Sequence, residues 1–414
     1  CRRNIRGSVS GVLRSPSFLV ICLALSGCAQ TARIIDDPAP APSAATRESV
    51  FYERWQAYVD WESELPFQDS CAPHIEEPVD GVAYRGTVVL LHGFSACPQQ
   101  YYDLAALLAQ EGYRSIVPLL PGHGRPYPEF EKDDSGALPG PYAWRGAYEA
   151  YADQINGIME YADGERVIGG LSGGGAAALY LNAGARDLYD RNLVIAPFLA
   201  IAGGGVVNGG IAFIGAIPVV NLLSATPFNT ADFCLDKRRE GKASYCKWQI
   251  RHVAGMKAVG SDIAKTVAEE PLVVRMQIIG VEGDNSVSNK RVLELIAEHE
   301  GTGSMSACFY PKGVPHSMFS RYDHPGEDMY WLEDFNTAAV AILPAGTPFP
   351  AVAREGAAVS ECVLGAAPAI MNVGAGGNLV TYSLFLQQIT EFPVALLSLG
   401  ILSRKSYNVT TGTK

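Results

Sequence analysis

The sequence is short of positive charge, and it lacks the common short motifs for metals, phosphates and nucleic acids. Its 414 residues contain 32 lysines and arginines against 43 aspartates and glutamates, a formal net charge of −11, and they show no basic face of the kind that a nucleic-acid binder presents. This balance argues against nucleic acid as a partner. No cysteine pair has the C-x-x-C spacing of a zinc site, and no G-K-[ST] phosphate loop occurs. We therefore expect neither a metal nor a cofactor.

The sequence also lacks a hydrophobic run long enough for a permanent membrane-spanning helix near its start. A basic stretch, "CRRNIRGSVSGVLR", precedes the short apolar run "SFLVICLAL" and the small residues "SGC". This order is typical of a secretory signal over residues 1–27. Leu25-Ser26-Gly27-Cys28 resembles the bacterial lipoprotein box, which implies a lipid on Cys28, export and anchoring to a membrane. Plain cleavage with full secretion, or an uncleaved leader helix, remain the alternatives.

Cysteine usage agrees with export. Apart from Cys1, Cys22 and Cys28, six cysteines remain, and an even number in an exported chain permits disulfides. We favour a bond between Cys234 and Cys246, because these two are close in sequence. The alternative is that several of the six are ordinary buried thiols.

Strand-like and helix-like segments alternate from Thr87 onward. The strand candidates, such as "TVVLLHG", "RVIGGLS" and "LVVRMQIIG", are apolar almost throughout, as strands covered on both faces should be. Alternation with helical segments predicts an α/β fold, with a mostly parallel central sheet and helices on both faces. The predicted organisation is a signal peptide over 1–27, a flexible tether over 28–48, the main domain over 49–343 with an inserted cap at about 199–270, and an extension of unknown role over 344–414.

The inserted segment is rich in glycine but does not match a nucleotide-binding loop. Gly203, Gly205 and Gly209 follow a strand with the spacing G-x-G-x-x-x-G, which is one residue too long. The segment also falls late in the sheet, whereas a dinucleotide loop follows an early strand. We therefore expect no dinucleotide here.

Ser172 lies at the junction of a predicted strand and a predicted helix. Gly170-Leu171-Ser172-Gly173-Gly174 matches the G-x-S-x-G pattern of a nucleophile on a tight strand-to-helix turn. Such a turn has strained backbone angles, and side chains at neighbouring positions would clash. The pattern predicts Ser172 as a nucleophile at the carboxyl edge of the sheet, beside the positive end of a helix dipole.

Upstream, His92-Gly93-Phe94 ends a strand and resembles the oxyanion-loop motif of the α/β-hydrolases. The resemblance implies that the backbone N–H groups of Phe94 and Gly173 bind a developing oxyanion. "GYRSIVPLLPGHGRP" resembles the family's next strand and its P-G-H-G turn, except that Arg125-Pro126 replaces the usual serine. We expect His92 and His123 to orient loops and to transfer no proton.

A serine nucleophile needs a base and an acid that orients the base. In this fold the chain order is serine, acid, histidine. Asp284 comes just after a predicted strand, and His316 lies in the loop after the last one. We predict Asp284 as the acid and His316 as the base. Glu282 is the competing acid, and His324 is the competing base.

These motifs together resemble the α/β-hydrolase superfamily, and within it the monoacylglycerol-lipase and carboxylesterase-like group, over about residues 87–343. The resemblance implies an exported serine hydrolase that cleaves carboxylic esters, such as monoglyceride-like lipids, through an acyl-enzyme. The alternatives are an amidase, peptidase or thioesterase with the same three residues, or a catalytically silent binding protein. If the apolar insertion forms a lid, Ile211, Phe213 and Ile214 should line the acyl pocket; otherwise they pack against the sheet.

Overall fold

A mostly parallel sheet forms the centre of the protein. The computed structural model describes residues 43–64, 71–94, 96–124, 142–203, 250–270, 272, 275–298, 305–310, 312–324 and 326–342. Its strands are β1 (His74–Glu76), β2 (Gly86–Leu91), β3 (Tyr113–Val117), β4 (Glu165–Leu171), β5 (Arg191–Ile195), β6 (Arg275–Val281) and β7 (Met305–Tyr310). The seven strands lie in the order β1-β3-β2-β4-β5-β6-β7, in which only β1 is antiparallel to its neighbour. The predicted fold class is confirmed.

The described residues form seven helices. They are α1 (Ala44–Glu62), α2 (Tyr102–Gln110), α3 (Trp144–Met159), α4 (Gly173–Gly184), α5 (Ile250–Glu269), α6 (Asn289–Glu298) and α7 (Leu332–Ile342), and a 3₁₀ turn over Pro98–Tyr101 precedes α2. Five of the seven, α2 to α6, lie between parallel strands, whereas α1 precedes the sheet and α7 follows it. Every residue of β2, β3 and β5 is buried, as expected for strands that are covered on both faces. The buried set includes polar side chains, among them Arg114 and Ser115 of β3 and Arg191 and Asn192 of β5.

The two faces of the sheet carry separate layers of core. Along β2, Val88 and Leu90 pack with α2 and α7 on one face, whereas Val89 and Leu91 pack with α1, α3 and α4 on the other. This alternation is the period-2 geometry of a strand, applied to a strand that is covered on both sides. Burying both faces fixes the register of each strand and therefore the positions of the loops that follow them.

Helix α1 begins at Ala44, so the last residues of the predicted 28–48 tether are helical. Arg47 fixes this first turn, because its Nε donates to Asp163 Oδ1 at 2.8 Å and its guanidinium also donates to the carbonyl of Glu160. Glu48 accepts a hydrogen bond from the buried Arg114 of β3 at 3.0 Å. These partners are more than sixty residues away in sequence, so a window over the tether could not reveal them.

The insertion predicted at about 199–270 is described only at its two ends. At the first end, Ile201 forms an antiparallel bridge with Val287, and the Ser288 N–H donates to the carbonyl of Ala200 at 2.9 Å. At the other end, α5 packs against α4 and contributes to the core beside β5 and β6. Residues 204–249, which include Ile211, Phe213 and Ile214, lie outside the described residues.

A disulfide joins Cys71 to Cys97, with 5.0 Å between their Cα atoms. Both cysteines are buried, and Cys97 directly precedes the 3₁₀ turn that leads into α2. The bond therefore ties the segment before β1 to the loop after β2. The favoured pair, Cys234 and Cys246, lies outside the described residues.

Candidate active site

Ser172 occupies a strained turn between β4 and α4. Its backbone angles are φ 55° and ψ −114°, in a region that residues with a side chain rarely adopt. Hydrogen bonds on both sides hold the strain in place, because its N–H donates to the carbonyl of Ile195 and its own carbonyl accepts from the N–H of Phe198. A strained residue held in this way at a strand end is a mark of a functional site.

The glycines beside Ser172 allow three backbone segments to meet. A Cβ on Gly174 would lie 1.9 Å from the carbonyl oxygen of Leu91, and one on Gly170 would lie 2.3 Å from that of Gly174. Any side chain at these positions would push α4 away from β2 and β4. The glycine pattern therefore sets how close the helix start comes to the strand that leads to His92.

The two residues predicted to bind an oxyanion, Phe94 and Gly173, are close neighbours in the fold. A Cβ built on Gly173 would lie 3.2 Å from the nitrogen of Phe94, which places the first residue of α4 against the loop after β2. The N–H of Gly173 is one of the first amides of the helix, which have no partner within the helix. An amide at the start of a helix, beside a nucleophilic hydroxyl, can stabilise a negative charge that develops on a substrate oxygen.

Asp284 and His316 form a hydrogen-bonded pair. Asp284 Oδ2 and His316 Nδ1 are 2.6 Å apart, and the Asp284 side chain is 1% exposed against 22% for His316. The other carboxylate oxygen accepts the N–H groups of Ser286 and Val287 at 2.7 and 3.2 Å. Because a carboxylate oxygen only accepts hydrogen bonds, Nδ1 of His316 is the donor in this pair, and Nε2 is available as a base.

The three predicted residues follow parallel strands and so lie at one edge of the sheet. Ser172 follows β4, Asp284 follows β6 and His316 follows β7, while β5 separates the first two strands. The structure gives His316 its hydrogen bond with Asp284 and none with Ser172. Catalytic hydrogen bonds in substrate-free enzymes are often long, and they tighten when a substrate binds.

The competing acid and base have other positions. His324 uses both ring nitrogens elsewhere, because Nε2 is 2.9 Å from Ser317 Oγ and Nδ1 is 3.1 Å from Glu327 Oε2. The N–H of Glu282 donates to the carbonyl of Tyr310, and no hydrogen bond joins the Glu282 side chain to His316. The geometry therefore favours Asp284 over Glu282, and His316 over His324.

His92 and His123 lie beneath the loop that carries Phe94. The N–H of Leu120 donates to Nε2 of His92 at 3.0 Å, so Nδ1 carries the proton and donates to the carbonyl of Gly93. Burial keeps the pKa of His92 well below 6.5, and it lowers the pKa of His123 to about 4. Both rings are therefore neutral at pH 7, and the contacts of His92 connect the ends of β2 and β3.

Two residues near the site were not predicted from the sequence. Gln100 Oε1 accepts the N–H of Gly93 at 2.8 Å, and its Nε2 donates to Asp323 Oδ2 at 2.5 Å. Gln100 and Asp323 are 223 positions apart. No local sequence signal marks such a pair.

Three further expectations concern the signal segment, metal binding and membrane-spanning helices. Cys28 and the whole signal segment fall outside the described residues. Among the residues that the structure does describe, no cluster of three or more histidine, cysteine or acidic side chains could hold a metal ion. In the same part of the chain, no helix has the length and apolarity needed to cross a bilayer.

The sheet order, the strained serine turn and the loops around it define the α/β-hydrolase fold. Residues 88–288, just under half of the chain, match the model of the alpha/beta hydrolase family. A comparison with curated proteins found no match in sequence.

Three solved structures are similar to this chain at low sequence identity. A soluble variant of monoglyceride lipase from Saccharomyces cerevisiae is similar with a TM-score of 0.51 and 16% identity, over 66% of this chain and 91% of that one. A monoacylglycerol lipase from Paleococcus ferrophilus gives 0.48 and 18%, over 66% and 98%. A thermostable carboxyl esterase from Bacillus coagulans gives 0.48 and 13%, over 65% and 91%.

Proposed function

We propose that this protein is a serine hydrolase of carboxylic esters, with Ser172 as nucleophile, His316 as base and Asp284 as the orienting acid. One observation carries the proposal. A strained serine and a hydrogen-bonded histidine–aspartate pair with a buried carboxylate follow strands of one parallel sheet, in the chain order that this fold uses.

The chemistry follows from the positions of the groups. Ser172 Oγ attacks the ester carbonyl carbon while His316 Nε2 takes its proton, and Asp284 stabilises the resulting imidazolium. The N–H groups of Phe94 and Gly173 donate to the carbonyl oxygen as it becomes negative. The intermediate then expels the alcohol, which receives the proton from His316 and leaves an acyl-enzyme. Water, deprotonated by His316, attacks the acyl carbon, and the acid leaves as Ser172 regains its proton.

We further propose an apolar acyl ester, such as a monoglyceride-like lipid, as the substrate class. Support comes from the apolar segment that is inserted where this fold places its cap, and from a structure with the same fold whose name is monoglyceride lipase. A lipid anchor on Cys28, supported by the sequence before it, would hold the protein at a membrane and close to such substrates.

A fluorophosphonate probe combined with p-nitrophenyl esters of graded chain length tests the proposal. We expect the probe to label wild-type protein at Ser172, and we expect kcat/KM to rise from acetate to longer esters, since each buried methylene contributes about 0.8 kcal/mol. Ser172→Ala should lose labelling and about 10⁴-fold or more of kcat while it keeps its fold. Ser261→Ala, at an exposed position of α5, is the matched serine control and should keep labelling.

The same assays separate the alternatives. Labelling without ester turnover, together with turnover of anilides or thioesters, would favour the amidase, peptidase or thioesterase alternative. A folded wild-type protein that takes up no probe would be a catalytically silent binding protein with this fold.

The proposed membrane anchor has a separate test. Wild-type protein should fractionate with bacterial membranes, and Cys28→Ser should not. Unlipidated wild-type protein in the periplasm would contradict the anchor.

A further inference from the structure

We propose that Gln100 is a positioning residue that fixes the loop carrying Phe94 to the loop carrying His316. The first, residues 92–100, is the oxyanion loop; the second, between β7 and α7, is the base loop. The inference rests on the proposed ester hydrolysis, because it assigns Gln100 a role in that reaction. Gln100 does not touch the substrate and acts only through the two loops.

The contacts of Gln100 reach both loops through one buried side chain. Its Oε1 accepts the N–H of Gly93 at 2.8 Å, and its Nε2 donates to Asp323 Oδ2 at 2.5 Å. Gln100 is 5% exposed, so water competes little for either hydrogen bond. A buried hydrogen bond to a charged group is stronger than a neutral one, and leaving its partner unpaired is costly.

A second contact between the same loops lies directly beside the first. The ring of Tyr101 stacks on that of Phe319 with 4.7 Å between centroids, and Phe319 stacks in turn on Phe335 of α7. Two consecutive residues of the 3₁₀ turn therefore contact the base loop. The stacking sets the distance between the loops, and the hydrogen bond of Gln100 to Asp323 sets their orientation.

Asp323 is itself fixed within the base loop. Its N–H donates to Ser320 Oγ at 3.2 Å, and Ser320 is buried four residues after His316. A hydrogen bond from Trp331 Nε1 to the carbonyl of Met318 closes the same stretch. A displacement of Asp323 is therefore transmitted to the backbone that follows His316.

The other end of the contact controls an oxyanion donor. Gly93 directly precedes Phe94, and its N–H is already committed to Gln100. The hydrogen bond leaves the Gly93 amide unable to serve the substrate and fixes the peptide that precedes the Phe94 donor. Because an oxyanion donor acts only at a defined distance, a small shift of this loop should lower kcat much more than it changes KM.

The first test removes both hydrogen bonds of Gln100 at nearly constant length. We expect Gln100→Met to lower kcat by about 10- to 100-fold with KM within about threefold, and to weaken a phenylboronic acid inhibitor by a similar factor. Gln99→Met is the matched control, since Oε1 of Gln99, in the same turn, has no hydrogen-bond partner among the described residues. It should behave as wild type.

The second test reverses the polarity of the hydrogen bond. Gln100→Glu places a carboxylate against that of Asp323 and should lower kcat by about 100-fold or more. Combining it with Asp323→Asn lets the new amide donate to Glu, while the other Glu oxygen still accepts from Gly93. The double variant should recover to within about tenfold of wild type. A purely structural loss of packing would not be rescued in this way.

Hydrogen–deuterium exchange separates this inference from the function on which it rests. In Gln100→Met, and not in Gln99→Met, peptides from both loops should exchange faster, and the double variant should restore their protection. If wild-type protein hydrolyses no ester but exchange changes as expected, the proposed function fails and the linkage remains. Unchanged kcat and exchange in Gln100→Met, or no rescue in the double variant, would overturn the inference.

Discussion

The turn at Ser172 and the base loop around His316 meet at one edge of the sheet, but they are built in different ways. Backbone contacts hold the serine turn, where Gly170 and Gly174 admit carbonyl oxygens at distances that any side chain would block. Side-chain hydrogen bonds from distant residues hold the base loop, through Asp284 and Gln100. The serine turn therefore tolerates no added atoms at these glycines. The base loop tolerates a change of side-chain shape but not the loss of a hydrogen-bond donor or acceptor.

Asp284→Asn tests the base loop and should have the largest effect. The substitution keeps the shape of the side chain, but its amide can donate where the carboxylate accepted the proton on Nδ1 of His316. The proton then moves to Nε2, which can no longer act as the base. We expect kcat to fall by about 10⁴-fold with the melting temperature little changed. Glu282→Gln, just after the same strand, is the control and should keep wild-type activity. If Glu282→Gln lost ester hydrolysis and Asp284→Asn kept it, Glu282 would be the acid.

Gly174→Ala tests the serine turn, where a single methyl group should be enough to disrupt it. Its Cβ would lie 1.9 Å from the carbonyl oxygen of Leu91, so the start of α4 must move. We expect the free energy of unfolding in urea to fall by about 3–5 kcal/mol. Gly184→Ala, at the other end of α4 with nothing within 4 Å, should instead gain up to about 1 kcal/mol. Equal values for the two variants would show that the contact at Gly174 relaxes freely.

The disulfide between Cys71 and Cys97 adds a covalent restraint to the oxyanion loop. Its 26-residue separation predicts a loss of about 3–4 kcal/mol in the free energy of unfolding when both cysteines become alanine. Either single substitution should cost nearly as much as the pair, because each removes the whole bond. A double variant within about 1 kcal/mol of wild type would show that packing alone restrains the loop.

Replacing His123, whose ring packs edge-on against that of Phe94, should have the smallest effect on stability, and this effect should depend on pH. Burial lowers its pKa to about 4 from 6.5, so the unfolded chain binds the extra proton first as pH falls. The contribution of neutral, buried His123 to the free energy of unfolding is complete above pH 6.5 and is lost as pH falls toward 4. The stability gap between wild type and His123→Gln should therefore shrink by about 1.4 kcal/mol per pH unit in that window. It should stay constant from pH 7 to 9, and a constant gap down to pH 4 would contradict a neutral His123.

The sequence predicts the serine turn better than its surroundings. The apolar runs of β2, β4 and β6 and the glycines around Ser172 express local requirements, burial on both faces and close backbone approach, and these are visible in a short window. The assignment of Asp284 and His316 used the chain order of a known fold, and the 2.6 Å contact agrees with it.

The interactions that the sequence did not reveal join distant positions. β1, with only three half-buried residues, has no apolar run to identify it, and it gains its place by pairing with β3. Sequence proximity favoured Cys234 and Cys246, whereas Cys71 and Cys97 come together because the fold brings the segment before β1 beside the oxyanion loop. The fold also brings Gln100 and Asp323 together, and the residues beside each of them in the sequence give no sign of this contact.

The antiparallel bridge between Ile201 and Val287 has a consequence for protein engineering. It joins the loop after Asp284 to a residue that precedes position 204, and α5 begins at Ile250. The loop that carries Asp284 is thus held by residues that precede the inserted segment. Gly203 and Ile250 are therefore natural splice points, at which a chimera could receive a foreign cap and keep its own nucleophile, acid and base.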